Sequence, residues 1–266
     1  MRHVAMAEAH VWTRGSELEE PRRRAKGDAV EALRRTRVVG CLRMRAHTAR
    51  ARVLALDATR AALDAGLEAY EATLDSPHAA DVLQRIAESH PHVLLGAGTA
   101  NDVRRVSAVE WKQLHFATSP TRAKEASTWL ANEEKHVLFV PGVATPTEAR
   151  TAWCEDDATV LKVYPSRRET VQALRDVMPE AVLMASGGMQ VEDVTEMVAA
   201  GAHVVVLGSA LFDLDDVASG NTKRIQERVR RAVRLAEEAG RMVDERNARR
   251  AELWEGLETR DSCAAG

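Results

Sequence analysis

The sequence has little cysteine and lacks the common metal-binding motifs. Its three cysteines, Cys41, Cys154 and Cys263, lie far apart in 266 residues, and none belongs to a CxxC pair. This spacing argues against a disulfide framework or a zinc site and fits a reducing compartment. The nine histidines include no HExxH or similar pairing. We therefore predict that the protein uses no metal.

Long apolar runs and an excess of one charge are also missing. No run approaches the roughly 20 apolar residues that a membrane-spanning helix needs, and residues 1–26 contain no apolar core of a secretion signal. The net charge of −3 gives no reason to expect nucleic acid or an anionic membrane as a partner. The sequence predicts a soluble, cytoplasmic protein whose partners include no nucleic acid and no membrane.

What the sequence does contain is a regular alternation of strand-like and helix-like segments. Eight short apolar runs are separated by stretches with helical spacing of apolar residues, and the runs are 38–42, 69–74, 93–95, 114–118, 137–140, 159–164, 181–185 and 204–207. This alternation predicts an α/β fold, a (β/α)8 TIM barrel. A doubly wound open sheet is the main alternative. In both folds, ligands bind where the strands end.

The two ends of the chain differ from this middle part. We interpret residues 1–27 as an N-terminal extension and residues 28–239 as the barrel, with Asp28 placed to cap its first helix. Residues 240–266 are dense in arginine and glutamate and are interpreted as a C-terminal helical extension. Gly240 is expected to separate the last barrel helix from this further helix.

The strand over residues 159–164 contains one lysine. Because side chains alternate across a strand, Val160, Lys162 and Tyr164 share one face. Burial of a lysine favours its neutral form, and a neutral lysine is a nucleophile that forms Schiff bases with carbonyl compounds. A lysine near a strand end can instead extend its ammonium group to water. This strand by itself favours the second interpretation.

Acidic residues occur on the second predicted strand. Glu71, Thr73 and Asp75 alternate there and point to one side. If that side is the barrel interior, the carboxylates occupy positions that normally hold branched apolar residues, and each needs a partner or a chemical role. Glu71 is equally suited to be a salt-bridge partner of Lys162 or a general base.

Glycines close several strands without matching a nucleotide fingerprint. Residues 96–99 (GAGT) form too short a segment and lack a lysine at the Walker position. Gly187 and Gly188 follow the seventh strand, and Gly208 and Ser209 follow the eighth. Loops at these places often bind phosphate through backbone N–H groups, although plain tight turns would give the same pattern. Ser209 has no G-x-S-x-G context, so hydrolase chemistry has no support.

Eight segments occur in the order and spacing of one known family. They are Leu42-Arg43, Glu71-Ala72-Thr73-Leu74, residues 96–99, Ser119-Pro120, residues 140–148, residues 161–165, Ser186-Gly187-Gly188 and Gly208-Ser209-Ala210-Leu211. The set resembles the 2-keto-3-deoxy-6-phosphogluconate / 4-hydroxy-2-oxoglutarate aldolase family, which are class I aldolases on a (β/α)8 barrel. No single segment is specific, but together they cover residues 30–239 with the spacing kept.

The resemblance implies a role for each matching residue. Lys162 is expected to attack the keto carbon of the donor and Glu71 to move protons as the acid and base. The other positions are expected to hold the donor's carboxylate (Arg43, Thr99), to shape the pocket (Pro120, Tyr164) and to bind phosphate (Gly187, Gly188, Ser209). Pyruvate would be donor or product, with a keto acid and an aldehyde, either free or phosphorylated, as substrates. No cofactor is implied because the iminium is the electron sink, and a homotrimer is favoured.

Three positions depart from the family pattern. Asp75 stands where well-known members carry an arginine that binds the substrate carboxylate. Two like charges about 4 Å apart repel by about 4 kcal/mol at an effective dielectric near 20. Asp75 must therefore turn away, pair with a cation such as Arg43, or face a donor without a carboxylate there. Thr121 replaces a glycine, and residues 166–168 form a shorter loop without glycine.

Three functions remain open at this point. The leading one is a class I aldolase that cleaves or forms a 2-keto-3-deoxy-6-phosphogluconate-like or 4-hydroxy-2-oxo acid, with pyruvate as donor or product. The second is a specialised biosynthetic aldolase that keeps the Schiff base and uses a different keto donor, as Asp75 suggests. The third is a non-catalytic barrel that serves as an assembly module through its C-terminal helices.

Overall fold

The computed structural model describes the backbone of residues 20–264 and the side chains of residues 25–251. Its strands are β1 (Val38–Leu42), β2 (Ala69–Thr73), β3 (Leu94–Gly98), β4 (Phe116–Thr118), β5 (Leu138–Val140), β6 (Gly142–Val143), β7 (Val160–Val163), β8 (Val182–Ser186) and β9 (Val204–Leu207). Its helices are α1 (Glu20–Thr36), α2 (Ala49–Asp64), α3 (Ala79–Ser89), α4 (Val103–Val106), α5 (Lys124–Glu133), α6 (Pro146–Glu155), α7 (Arg168–Val177), α8 (Asp193–Ala199), α9 (Leu214–Ser219) and α10 (Thr222–Ala264).

The strands form one parallel sheet in the order β5-β4-β3-β2-β1-β9-β8-β7-β6. β5 corresponds to the predicted strand at residues 137–140, and β6 is a short strand that follows it after Pro141. A proline has no N–H for a ladder, so β5 pairs with β4 while β6 pairs with β7. The carbonyl of Pro141 still accepts a hydrogen bond from the Lys162 N–H at 2.9 Å. The prediction of a TIM barrel is confirmed, and the ninth strand is β6, which the sequence pattern does not predict.

Gly142 lets β6 approach the loop after β4 closely. A Cβ at this position would lie 2.2 Å from the Pro120 carbonyl carbon and 2.4 Å from its oxygen. We expect Gly142→Ala to cost about 1–3 kcal/mol, because backbone atoms must move to relieve the overlap. At about 2–4 °C per kcal/mol for a chain of this size, thermal melting should detect the loss.

Gly27→Ala is the matched control, since a Cβ at Gly27 meets nothing within 4 Å. Gly27 lies inside α1, where alanine is the better helix former by about 1 kcal/mol. The control should therefore melt at the wild-type temperature or above it. Equal melting temperatures for Gly142→Ala and the wild type would contradict the close approach described here.

Helix α1 closes the barrel at the end where the strands begin. Its Ala29 and Leu33 are buried among interior side chains that include Val39, Val160 and Val204. The helix begins at Glu20, so the prediction that Asp28 caps its start is wrong. The side chains of Ala29 and Leu33 face the barrel floor, and the helix is longer at its N-terminal end than the sequence predicts.

Helix α10 continues without a break through Gly240, so the expectation of a separate helix after this residue is wrong. A Cβ at Gly240 would lie 2.5 Å from Nε of Arg37, which shows that the glycine admits this side chain against the helix. Arg37 also pairs with Asp244 at 3.3 Å. Within the described residues, no helix is both long and apolar enough to cross a membrane.

Candidate active site

The interior of the barrel becomes polar near the ends of the strands. Along β7, Val160 lies in the interior apolar cluster, and Lys162 follows it on the same face. Leu161 and Val163 pack outward against the helices. The alternation expected from the sequence is therefore present. Lys162 is 5% exposed and Glu71 is fully buried, so neither charge is solvated by bulk water.

Lys162, Glu71 and Thr118 form a closed triangle of hydrogen bonds. The Nζ of Lys162 lies 3.2 Å from Oε1 of Glu71 and donates to Oγ1 of Thr118 at 2.8 Å. Oγ1 of Thr118 donates in turn to Oε2 of Glu71 at 2.7 Å. Each carboxylate oxygen has one donor, and this satisfies a negative charge that would otherwise be costly to bury. The group places a potential nucleophile beside a potential acid and base.

Thr118 was not among the residues singled out from the sequence. The available signal was alternation: Phe116, Thr118 and Pro120 follow one another on one side of β4 and its continuation. A polar side chain on the interior side of a barrel strand is unusual, since branched apolar residues dominate there.

Glycine at position 98 makes room for the Glu71 side chain. A Cβ there would lie 2.9 Å from Oε1 of Glu71. On the other side, Cys41 of β1 lies in register with Glu71. Burial raises the pKa of the Cys41 thiol well above its usual range, and the charge of Glu71 raises it further, whereas Lys162 lowers it. These effects favour the protonated thiol, which is a poor nucleophile.

Arg43 and Thr99 meet where the strands β1 and β3 end. Nη2 of Arg43 donates to Oγ1 of Thr99 at 3.0 Å. Nη1 of the same guanidinium lies 3.4 Å from Oδ2 of Asp75. Of the possibilities open for Asp75, the structure shows pairing with Arg43. The Arg43 side chain is 48% exposed and that of Asp75 is 31% exposed, so the pair contributes at most about 1 kcal/mol to the stability of the fold.

Pro120 and Tyr164 line a cleft of about 340 Å³ beside the strand ends. Tyr164 is 40% exposed and follows directly after β7. A Cβ at Gly187 would lie 3.0 Å from the Tyr164 ring, so the glycine allows the ring to pass close to the loop after β8. The Tyr164 ring therefore lies beside that glycine loop.

The loops after β8 and β9 expose backbone N–H groups. Gly187 and Gly188 have φ values of 107° and 76°, which glycine adopts readily and other residues avoid. In the next loop, the N–H groups of residues 211 and 212 bond to the Gly208 carbonyl at 3.0 and 2.9 Å, which forms a turn. The N–H groups of Gly188 and Ser209 have no acceptor among the described residues. Such groups are suited to an anion.

The shortened loop at residues 166–168 is fixed to the neighbouring strand. Oγ of Ser166 donates to the Val163 carbonyl at 2.7 Å and accepts from the Ser186 N–H at 2.9 Å. Arg168 begins α7 and lies 3.7 Å from Glu196 of α8. Its guanidinium is therefore paired with a neighbouring helix, whereas Ser166 sets the position of the β8 loop.

A larger cleft lies at the opposite end of the barrel. It measures about 1000 Å³ and lies between α1 and the starts of β2 to β4, with Asp28, Glu68 and His92 in its wall. Barrel enzymes carry their chemistry at the strand ends, and the starts serve stability. Within the described residues, no group of three or more histidine, cysteine, aspartate or glutamate side chains is placed to hold a metal. Size alone does not make this cleft the site.

Comparison with known proteins agrees with the barrel and its polar end. The family model described as aldolase, KDPG and KHG aldolase, matches residues 30–228. The 2-dehydro-3-deoxy-phosphogluconate aldolase of Pseudomonas aeruginosa is 26% identical over 177 residues, which cover 65% of this chain and 79% of that protein. The KHG/KDPG aldolase of Escherichia coli K12 is 24% identical over 183 residues, which cover 67% and 84%.

A solved structure described as native KDPGal has the same fold, with a TM-score of 0.67. It is 26% identical and covers 77% of this chain and 96% of its own. The family match spans about three quarters of the sequence and includes Glu71, Thr118 and Lys162. The chain belongs to the KDPG and KHG aldolase family and is a carbon–carbon lyase.

Proposed function

We propose that this chain is a class I aldolase that uses Lys162 to form a Schiff base with pyruvate. Its substrate would be a 2-keto-3-deoxy-6-phosphogluconate-like acid or a 4-hydroxy-2-oxo acid. The observation that carries the proposal is the buried contact of 3.2 Å between Lys162 and Glu71 at the ligand-binding end of a family barrel. A buried amine beside a carboxylate can lose its proton to that partner and then attack a carbonyl carbon.

The chemistry follows from what each group can donate or accept. The neutral amine of Lys162 adds to the keto carbon, and loss of water then gives an iminium. Glu71 is close enough to remove the proton from the nitrogen and to return it to the leaving hydroxyl. The iminium takes up the electron pair when the carbon–carbon bond breaks, so the proposed reaction needs no cofactor.

The surrounding residues support an acid substrate with an anionic far end. Arg43 and Thr99 are proposed to hold the donor's carboxylate at the mouth, where one cationic and one hydroxyl group lie 3.0 Å apart. Pro120 and Tyr164 are proposed to shape the entrance. The free N–H groups near Gly187, Gly188 and Ser209 are proposed to take a phosphate, because glycines let the backbone approach an anion closely.

Trapping with borohydride tests this function. Reduction in the presence of pyruvate should convert an iminium into a stable amine. The intact mass of each chain should then rise by the mass of one pyruvate less one oxygen atom. Release of pyruvate from each of the two candidate acids, measured with a coupled dehydrogenase, identifies the substrate. A chain that gains no mass with pyruvate and releases none from either acid is not the proposed enzyme.

A different keto donor is the second candidate, and Asp75 favours it. This carboxylate competes with a donor's carboxylate for Arg43, because it already lies 3.4 Å from Nη1. We expect Asp75→Asn to lower KM for pyruvate by about fivefold, which corresponds to about 1 kcal/mol for an exposed pair, and to change kcat less. Steady-state kinetics with pyruvate as the added donor measures the effect.

Asp81→Asn is the control for this substitution. Asp81 pairs with Arg52 and Arg85 on the helices at the outside of the barrel, so its loss should leave KM unchanged. A higher KM in Asp75→Asn would mean that Asp75 orients Arg43 for pyruvate. An unchanged KM, together with stronger trapping of a keto compound lacking the carboxylate, would favour the second donor.

The proposed function also includes an assignment of the catalytic domain within the chain. We assign the catalytic barrel to residues 28–239, with residues 1–27 and 240–266 as extensions and a homotrimer as the assembly. Residues 225, 229, 232, 236 and 239 of α10 are buried, whereas nearly all of 241–251 are exposed. Deletion of residues 241–266 should therefore preserve the pyruvate adduct. Loss of the adduct in a folded truncated chain would contradict this division.

A further inference from the structure

Thr118 joins the proposed nucleophile to the proposed acid and base. Its hydroxyl is fully buried, and its two hydrogen bonds run in one direction. Lys162 donates to Oγ1 at 2.8 Å, and Oγ1 donates to Oε2 of Glu71 at 2.7 Å. The direct contact from Lys162 to Oε1 of Glu71 is longer, at 3.2 Å. The hydroxyl therefore provides the shorter chain of hydrogen bonds between the amine and the carboxylate.

Packing does not explain a hydroxyl at this place. Valine has nearly the same shape as threonine and suits both a β-strand and the interior of a barrel. Burial of a hydroxyl is unfavourable unless it finds partners, and Thr118 finds them in the two groups that the proposed reaction needs. A side chain whose polar atom touches the reacting nitrogen is placed to take part in proton transfer.

We propose that Thr118 is a further catalytic residue, which relays a proton between Lys162 and Glu71. This inference rests on the proposed Schiff-base function. An N–H bond of the Lys162 ammonium breaks as a new O–H bond forms at Oγ1, while the original Oγ1–H bond breaks and its proton bonds to Oε2 of Glu71. Thr118 ends with one hydroxyl proton, Lys162 becomes a neutral amine, and Glu71 becomes a carboxylic acid.

The same relay serves the next step after the amine has added to the keto carbon. As the amine adds, Glu71, which the first transfer left protonated, gives its proton to the keto oxygen, which becomes a hydroxyl, and Glu71 returns to a carboxylate. The nitrogen of the adduct then carries a positive charge and two protons, and the chain through Oγ1 carries one of them to Glu71. Protonated Glu71 then gives its proton to the adduct's hydroxyl, the C–O bond breaks, and water departs as the nitrogen lone pair forms the C=N bond. Charge and atoms balance, and no other reactant is needed.

Removal of the hydroxyl tests the relay. In Thr118→Val, the rate of Schiff-base formation with pyruvate should fall about 10- to 100-fold, because only the longer direct contact between Lys162 and Glu71 is left to transfer the proton. Borohydride quenching at increasing times measures this rate. The final extent of trapping should equal that of the wild type. Thr118→Ser keeps the hydroxyl and should restore the rate to within about threefold. A valine-variant rate equal to the wild-type rate overturns the proposal, as does a serine variant that is as slow as valine.

Two further measurements separate a relay from a purely structural role. In mixtures of H₂O and D₂O, a two-proton relay predicts a curved dependence of the wild-type rate on deuterium content and a linear one for Thr118→Val. Equal curvature in both overturns the relay. Thr59→Val is the control: its buried hydroxyl bonds to the Ala55 carbonyl on α2, and the trapping rate should not change.

The outcomes also distinguish the relay from the function on which it rests. A wild-type chain that traps no keto acid refutes the Schiff-base proposal, whereas a trapping wild type with an unaffected Thr118→Val refutes the relay alone. Melting curves establish that each variant is folded. If the valine variant does not fold, Thr118→Ala removes the same hydroxyl without adding volume and must show the same slow rate.

Discussion

Lys162→Ala is expected to abolish both the pyruvate adduct and the aldol reaction, with a fall in kcat/KM of at least about 10⁴. The substitution removes the atom that would bond to the keto carbon, and loss of a covalent nucleophile leaves little of the catalytic effect. Lys135→Ala is the matched control, because Lys135 is an exposed lysine in the turn before β5. A Lys162→Ala variant with normal activity would refute the assignment of the nucleophile.

Stability must be measured beside activity, because Lys162 is also the cationic partner of a fully buried Glu71. Removing one member of a buried pair typically costs about 3–5 kcal/mol, which would lower Tm by about 10 °C. Lys162→Arg resolves this problem, since it keeps a positive charge near Glu71 and its guanidinium is not a nucleophile. A folded, inactive arginine variant would show that the amine itself is required.

Glu71→Gln is expected to lower kcat by about 10²–10⁴, the usual contribution of a positioned acid and base. Glutamine has the same shape and retains one acceptor oxygen, but it can neither take a proton from the amine nor return it to the leaving hydroxyl. The adduct with pyruvate should still form slowly, because Lys162 and Thr118 remain. Progress curves of trapping measure the formation of the adduct, and kcat for cleavage of the aldol measures the complete reaction, so the two measurements separate these effects.

Glu68→Gln is a suitable control for Glu71→Gln. Glu68 lies just before β2 in the wall of the cleft at the opposite end of the barrel, and its exposed carboxylate lies 4.0 Å from the guanidinium of Arg35. The loss of this exposed pair should change neither kcat nor stability by a measurable amount. A Glu71→Gln variant with unchanged kcat would leave Glu71 as a structural partner of Lys162 alone.

Alternation along strands was sufficient to predict which side chains share a face. Val160 and Lys162 follow each other on the interior side of β7, as the sequence indicated, and Glu71 lies opposite them in the barrel. The rule is purely local, because successive residues of a strand point to opposite sides. It does not state which interior residues of different strands touch. The rule therefore does not single out Thr118, because its two hydrogen-bond partners lie on β2 and β7 and not on its own strand.

The sequence misjudges two helix boundaries. It predicts a break at Gly240, but one glycine costs a helix only about 1 kcal/mol relative to alanine, and α10 continues through it with the Arg37 side chain packed against it. It predicts that α1 begins at Asp28, whereas the helix begins at Glu20. A single glycine or capping residue is weak evidence for a helix boundary.

The pairing of Asp75 is a feature of the site that the sequence could not predict. Its departure from the family pattern was visible in the sequence, but the choice among turning away, pairing and facing another donor was not. The pairing with Arg43 depends on the loops after β1 and β2 meeting at the barrel mouth, with Ser76 accepting a hydrogen bond from the Met44 N–H at 2.9 Å. Loop contacts of this kind carry no periodic signal.

The location of the borohydride-reduced adduct tests the central claim most directly. After reduction with pyruvate, trypsin should fail to cut after the modified lysine, which leaves one peptide that covers residues 151–167. Its mass should exceed that of the unmodified peptide by pyruvate less one oxygen atom, and fragmentation should place the addition on Lys162. An adduct on any other lysine, or a fully cleaved and unmodified 151–162 peptide from an active enzyme, would contradict the account.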